Sequence, residues 1–111
     1  MIEEKNNERL ELNALMMEED KFFRQFSELD DLAYSGQIIP KKYKELMGLS
    51  ISIISKCEEC ILYHVQGCLK EGATKEEIIE AVKISVIGGG SVLFPYARYT
   101  FKVLKELKVL K

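Results

Sequence analysis

A chain of 111 residues makes one ordinary domain, and 47% apolar against 31% charged residues is a composition that buries a core rather than staying disordered. Sixteen Lys and Arg against eighteen Asp and Glu leave a net charge of −2, so no general basic field exists to hold phosphates and nucleic acid is not expected as a partner. No apolar run approaches the roughly 20 residues that span a bilayer, and the charged residues 1–11 do not read as a secretory signal, so no membrane association and a cytoplasmic location are expected.

In chain order, Leu15, Phe22, Phe26, Leu29 and Ala33 recur at helical spacing, which predicts one long first helix that stops near Gly36. Ile38, Ile39 and Pro40 read as an extended link, since the residue before proline avoids the helical region. A second helix over Lys41–Ile54 places Tyr43, Leu46, Met47, Ile51 and Ile54 along one face, with Gly48 as a weak point inside it. Ser55 followed by Glu58 has the capping-box spacing, which predicts a third helix from Ser55 to about Glu71, closed by Gly72.

Thr74 and Glu77 repeat that spacing before a fourth helix carrying Ile78, Ile79, Ala81, Val82, Ser85 and Val86, ended by Gly88, Gly89 and Gly90. A last helix is expected over residues 91–110, with Pro95 tolerated in its first turns and Tyr99, Val103, Leu104 and Leu107 on its buried side. No hairpin signal or internal repeat is visible, so the fold class is all-α, one domain over residues 1–111 with about five helices.

Charge is unevenly placed along these helices. Residues 1–31 sum to −6 and residues 32–111 to +4, which suits either two solvated faces or an acidic N-terminal helix docking on a basic surface, including that of another subunit. Short chains with several apolar helix faces commonly bury them between copies, so a homo-oligomer is expected.

The chemistry concentrates between Lys56 and His64. Three cysteines is an odd number, and in a reducing compartment a close pair reads as redox or metal chemistry rather than a structural bridge. On a helix, Cys57, Cys60 and His64 fall along one stripe, because residues three and four apart share a face. With Ser55 as N-cap, Cys57 would sit in the first turn, where the helix amides favour a thiolate, and Cys60 would have His64 one turn on as its proton acceptor. Glu58 and Glu59 work against a thiolate by like charge.

These residues resemble the carboxymuconolactone decarboxylase-like proteins, in particular their AhpD-like alkylhydroperoxidase branch. That branch carries a glutamate, eleven residues, a cysteine, two residues, a cysteine, three residues and a histidine; Glu45, Cys57, Cys60 and His64 reproduce each interval. Gly72-Ala73-Thr74-Lys75-Glu76-Glu77-Ile78 and Gly88-Gly89-Gly90 extend the likeness over about residues 20–107. The resemblance implies an AhpD-like helical fold that assembles as a homo-oligomer. It implies a peroxidase or disulfide oxidoreductase without cofactor or metal, acting on a hydroperoxide or disulfide and re-reduced by a thiol or dithiol partner.

Residue by residue, Cys60 corresponds to the cysteine that attacks peroxide, Cys57 to the one that resolves the sulfenic acid, and Glu45 with His64 to a proton relay. The residues themselves leave the two cysteine roles exchangeable, since a first-turn Cys57 would also suit exchange with a partner. One departure is Glu59, where some members place a second histidine directly before the second cysteine. The decarboxylase branch lacks the cysteine pair, so lactone decarboxylation is not expected.

The same residues admit other readings. Cys68, four beyond His64, reads as a small buried apolar residue. Cys57, Cys60, His64 and Cys68 could be written as a zinc set, but four ligands along one helix face span about 16 Å at ~1.5 Å per residue, too long for one ion. A non-catalytic helical assembly module is the remaining alternative. The triple glycine lacks the lysine and strand of a phosphate loop and reads as a tight turn.

Overall fold

The structure is a computed structural model and describes residues 1–111, all of whose regular elements are helical. The helices are α1 (Ile2–Glu19), α2 (Lys21–Tyr34), α3 (Lys41–Ile54), α4 (Glu58–Lys70), α5 (Lys75–Gly89) and α6 (Phe94–Glu106), with a 3₁₀ turn at Ser91–Leu93 before the last. Contacts divide the chain into two compact units, Met1–Ser35 and Gly36–Lys111.

In the first unit the expected single long helix is two. Asp20 leaves the helical region at φ −149° and ψ 129°, and its carboxylate accepts the Phe22 N–H at 2.9 Å, so α2 starts afresh with its own cap. Arg24 donates back to the Met17 carbonyl at 3.2 Å, occupying one of the acceptors that the end of α1 leaves open. A periodic apolar pattern runs across such a break, because a capping aspartate interrupts the backbone without disturbing the spacing. Phe22, Phe26 and Leu29 remain exposed in this unit, which has no fully buried residue.

In the second unit α3 packs against α4 and α5, and α6 against α4 and α5. Leu49 and Ile53 of α3, Ile61 and Val65 of α4, Ile78 of α5 and Leu104 of α6 have no accessible surface. Each such aliphatic side chain contributes about 1.5–3 kcal/mol by leaving water. The buried side of α3 is not the face its apolar residues outline. Glu45, Gly48, Leu49, Ser52 and Ile53 face inward, whereas Tyr43, Met47 and Ile51 are 44%, 49% and 61% exposed. Two polar residues and a glycine on the inner face are what misdirect a reading by hydrophobicity.

Helix ends explain the remaining differences. The Thr74–Glu77 capping box forms as expected, with Glu77 N–H donating to Thr74 Oγ1 at 3.1 Å and Thr74 N–H to Glu77 Oε1 at 2.9 Å. The Ser55–Glu58 box does not: Ser55 ends α3, Lys56 takes φ +57°, and α4 begins only at Glu58 with Cys57 as its N-cap. The last helix is shorter than expected, since residues 91–93 form the 3₁₀ turn and α6 stops at Glu106, with Lys108 at φ +63° turning the chain. No helix is long and apolar enough to cross a membrane.

Candidate functional site

The loop between α3 and α4 is pinned from both sides at Cys57. Its N–H donates to the Ser52 carbonyl at 3.1 Å, and the Lys56 N–H to the Ile53 carbonyl at 3.0 Å, the paired bonds of a Schellman ending. On the other side, Cys57 Sγ accepts the Cys60 N–H at 3.2 Å and so caps α4. One cysteine thus closes one helix with its backbone and opens the next with its sulfur.

Cys57 and Cys60 are joined as a disulfide, with their Cα atoms 5.2 Å apart. Cys60 is exposed and Cys57 half-buried. A thiolate at position 57 would lie at the positive end of α4 with an amide aimed at it, an arrangement that favours the anion. Glu58 and Glu59 occupy the exposed first turn, where solvent and salt screen their charge.

The packing of α3 on α4 brings Glu45 to His64. Glu45 Oε1 lies 2.8 Å from His64 Nδ1, and its Oε2 accepts from Lys41 Nζ at 3.1 Å. Glu45 is 4% exposed, so this carboxylate is held inside the protein by two nitrogen donors. A carboxylate only accepts, so His64 donates through Nδ1, and in the neutral ring Nε2 is the basic nitrogen. His64 follows Cys60 by one helical turn on α4, and the Tyr63 ring meets it edge-on at 5.2 Å between centroids. Lys41 is held above the usual lysine range: burial works to lower it, and the hydrogen bond and charge of Glu45, with Glu71 and Tyr63 adding, outweigh that.

Gly67 makes room for this carboxylate. A Cβ at that position would stand 2.7 Å from Glu45 Cδ and closer still to Oε1, so any larger residue must displace the side chain. Lys41 and Gly67 are the two members of the site that were not singled out from sequence. The i, i+4 spacing of Lys41 to Glu45 on one helix was available as a signal; for Gly67 there was none, because its neighbour comes from another helix.

Cys68 belongs to the core, as expected. It is fully buried and unpaired, and burial, followed by the charge of Glu45, pushes its thiol up to about 12. No three or more His, Cys, Asp or Glu side chains come together in a way that could hold a metal ion, so the four residues of the possible zinc set do not assemble. The open groove of about 360 Å³ lies elsewhere, between α3 and α5, where Tyr43, Leu46, Met47 and Ile84 line it.

Comparison with known proteins identifies the family of this fold. Residues 20–106 match the carboxymuconolactone decarboxylase family. A solved structure of that family from Thermotoga maritima, a protein with a suggested part in antioxidative response, has a TM-score of 0.89 at 37% identity, covering 95% of this chain and 90% of its own. An uncharacterized protein 4 of the cox locus of Paracoccus denitrificans is 28% identical over 82 residues, 74% of each chain. The alkyl hydroperoxide reductase AhpD of Corynebacterium kroppenstedtii is 46% identical over 41 residues, which is 37% of this chain and 24% of that protein.

Proposed function

This chain belongs to the carboxymuconolactone decarboxylase family, and from that premise we propose that it is a thiol-dependent peroxidase and disulfide oxidoreductase in which Cys57 and Cys60 cycle between dithiol and disulfide. The observation that carries the reading is the Cys57–Cys60 disulfide at the start of α4, one turn before a histidine held by a buried carboxylate. The partial likeness to AhpD and the antioxidative link suggested for the Thermotoga maritima protein support it.

The cycle starts from the dithiol. His64 takes the Cys60 proton, and the Cys60 thiolate attacks the outer oxygen of a hydroperoxide; an S–O bond forms, the O–O bond breaks, and the departing alkoxide takes a proton to leave as the alcohol. Cys57 thiolate, stabilised by the α4 amides, then attacks the Cys60 sulfenic acid sulfur. An S–S bond forms and hydroxide leaves, protonated to water. An external thiolate closes the cycle by attacking the exposed Cys60 sulfur, releasing Cys57 as the thiolate at the helix cap. The second thiol of the donor then frees Cys60 and carries the disulfide away. Exposure of Cys60 and capping by Cys57 support these roles over the reverse assignment, which the sequence left open.

The test is anaerobic thiol counting before and after one equivalent of an organic hydroperoxide, on wild type and on Cys57→Ser, Cys60→Ser and His64→Ala. Wild type should lose two thiols, Cys57→Ser should trap a sulfenic acid, and His64→Ala should react about 10²-fold more slowly. Intact thiols in wild type under peroxide would end the peroxidase reading, and failure of a dithiol to reduce the Cys57–Cys60 bond would end the oxidoreductase reading as well.

The apolar surface left open suggests a further property. We propose that the chain works as a homo-oligomer, since Met47, Ile51 and Ile54 on the outer side of α3, and Ile84 and Ile87 on α5, leave large apolar side chains exposed that a second copy could cover.

A further inference from the structure

Within the relay just proposed, Glu45 has a second partner that the cycle above does not use. Its Oε2 is bound by Lys41 Nζ at 3.1 Å, on the side opposite the Oε1 that meets His64. The Lys41 side chain is 38% exposed and that of Glu45 only 6%, so the ammonium sits where the buried carboxylate approaches solvent. We propose that Lys41 is a positioning residue for the redox site: by binding Oε2 it holds the Glu45 carboxylate against the ring, and this fixes His64 with its proton on Nδ1 and its basic nitrogen at Nε2. The inference rests on the reading of Glu45 and His64 as a proton relay.

A carboxylate with 4% exposure is stable as an anion only while charged or hydrogen-bonding groups compensate it. With Lys41 in place, two nitrogens supply that, and no buried side-chain nitrogen or oxygen lacks a partner. Without the ammonium, the neutral imidazole alone must compensate a buried charge. The carboxylate can then turn away toward solvent, and Nδ1 loses the acceptor that fixes its proton. The tautomer would no longer be held, and the ring would no longer be arranged to accept a proton through Nε2. Glu45, Glu71 and Tyr63 are ionisable groups that act on Lys41, and Glu45 is bonded to it. Gly67 leaves the space in which this geometry is possible.

His64 is the chain's only histidine, so its ring nitrogens can be read without assignment ambiguity. The experiment is ¹⁵N NMR of the neutral imidazole, together with the rate at which an organic hydroperoxide oxidises the reduced Cys57–Cys60 pair, on full-length wild type, Lys41→Arg, Lys41→Met and Lys41→Gln. Wild type and Lys41→Arg are expected to show Nδ1 protonated and Nε2 bare, and both uncharged variants to lose that pattern. In the uncharged variants the oxidation rate should fall toward that of His64→Ala. If either uncharged variant folds and keeps the wild-type tautomer, the proposal is overturned. Rate loss in Lys41→Arg equal to that in Lys41→Met, with the tautomer unchanged, overturns it too. A His64→Ala protein that is oxidised as fast as wild type would instead refute the relay reading, while the NMR result would still report on Lys41.

Discussion

Glu45 and His64 stand nineteen residues apart in sequence and 2.8 Å apart in space, joined by a hydrogen bond between helices that orients the imidazole ring. Glu45→Gln is nearly isosteric but removes the charge that faces the ring. It should slow oxidation of the Cys57–Cys60 pair by about 10²-fold, the low end of what a positioned acid or base supplies. Stopped-flow thiol oxidation at neutral pH measures this, with thermal melts on the same samples to separate it from unfolding.

Gly67→Ala tests the same bond from the opposite helix. Alanine gains about 1 kcal/mol of helix propensity over glycine, while its methyl group must push the Glu45 carboxylate aside. The two effects oppose each other, so stability should change by less than about 1–2 kcal/mol while the oxidation rate falls as in Glu45→Gln. A melt close to wild type with an unimpaired rate would show that the carboxylate's position does not matter to the chemistry.

Lys56 holds φ +57° directly before Cys57, in the region where side chains are strained and glycine is not. Lys56→Gly should stabilise the protein by roughly 1 kcal/mol, seen as a higher midpoint in urea with an unchanged slope. The Cys57 N–H to Ser52 bond and the α4 cap should be retained, so the disulfide should form as readily as in wild type.

Cys68 should behave as the inert thiol of the three. With its pKa pushed up to about 12 by burial, it stays protonated throughout the neutral range. Iodoacetamide on the reduced native protein near pH 8 should label Cys57 and Cys60 and leave Cys68 unmodified until denaturant is added. Peptide mass mapping reads the sites, and native labelling of Cys68 at a rate matching Cys60 would contradict the burial.

Self-association should be visible by light scattering. The expected mass is a multiple of the 12.8 kDa chain, and Ile51→Asp on the exposed side of α3 should lower it without unfolding the helices. A single species of one chain mass at working concentration would refute the oligomer.

The sequence by itself determined what depends on near neighbours along the chain. Helical spacing and the Thr74–Glu77 box set most of the helices in the second unit, and the three- and four-residue steps from Cys57 to Cys60 to His64 outlined the candidate site because disulfide and helix-turn neighbours are local in space as well as in sequence. Tertiary structure decided the rest. Ser55 could not cap α4 while it ended α3, so the cap fell to Cys57, a competition between two helices that no single spacing records. The inner face of α3 was chosen by what α4 and α5 present to it, which put Glu45 and Ser52 inside and left Tyr43, Met47 and Ile51 out. Lys41, Glu45, His64 and Gly67 become one site only when α3 and α4 pack, because a hydrogen bond between helices is set by their docking and not by the order of the residues.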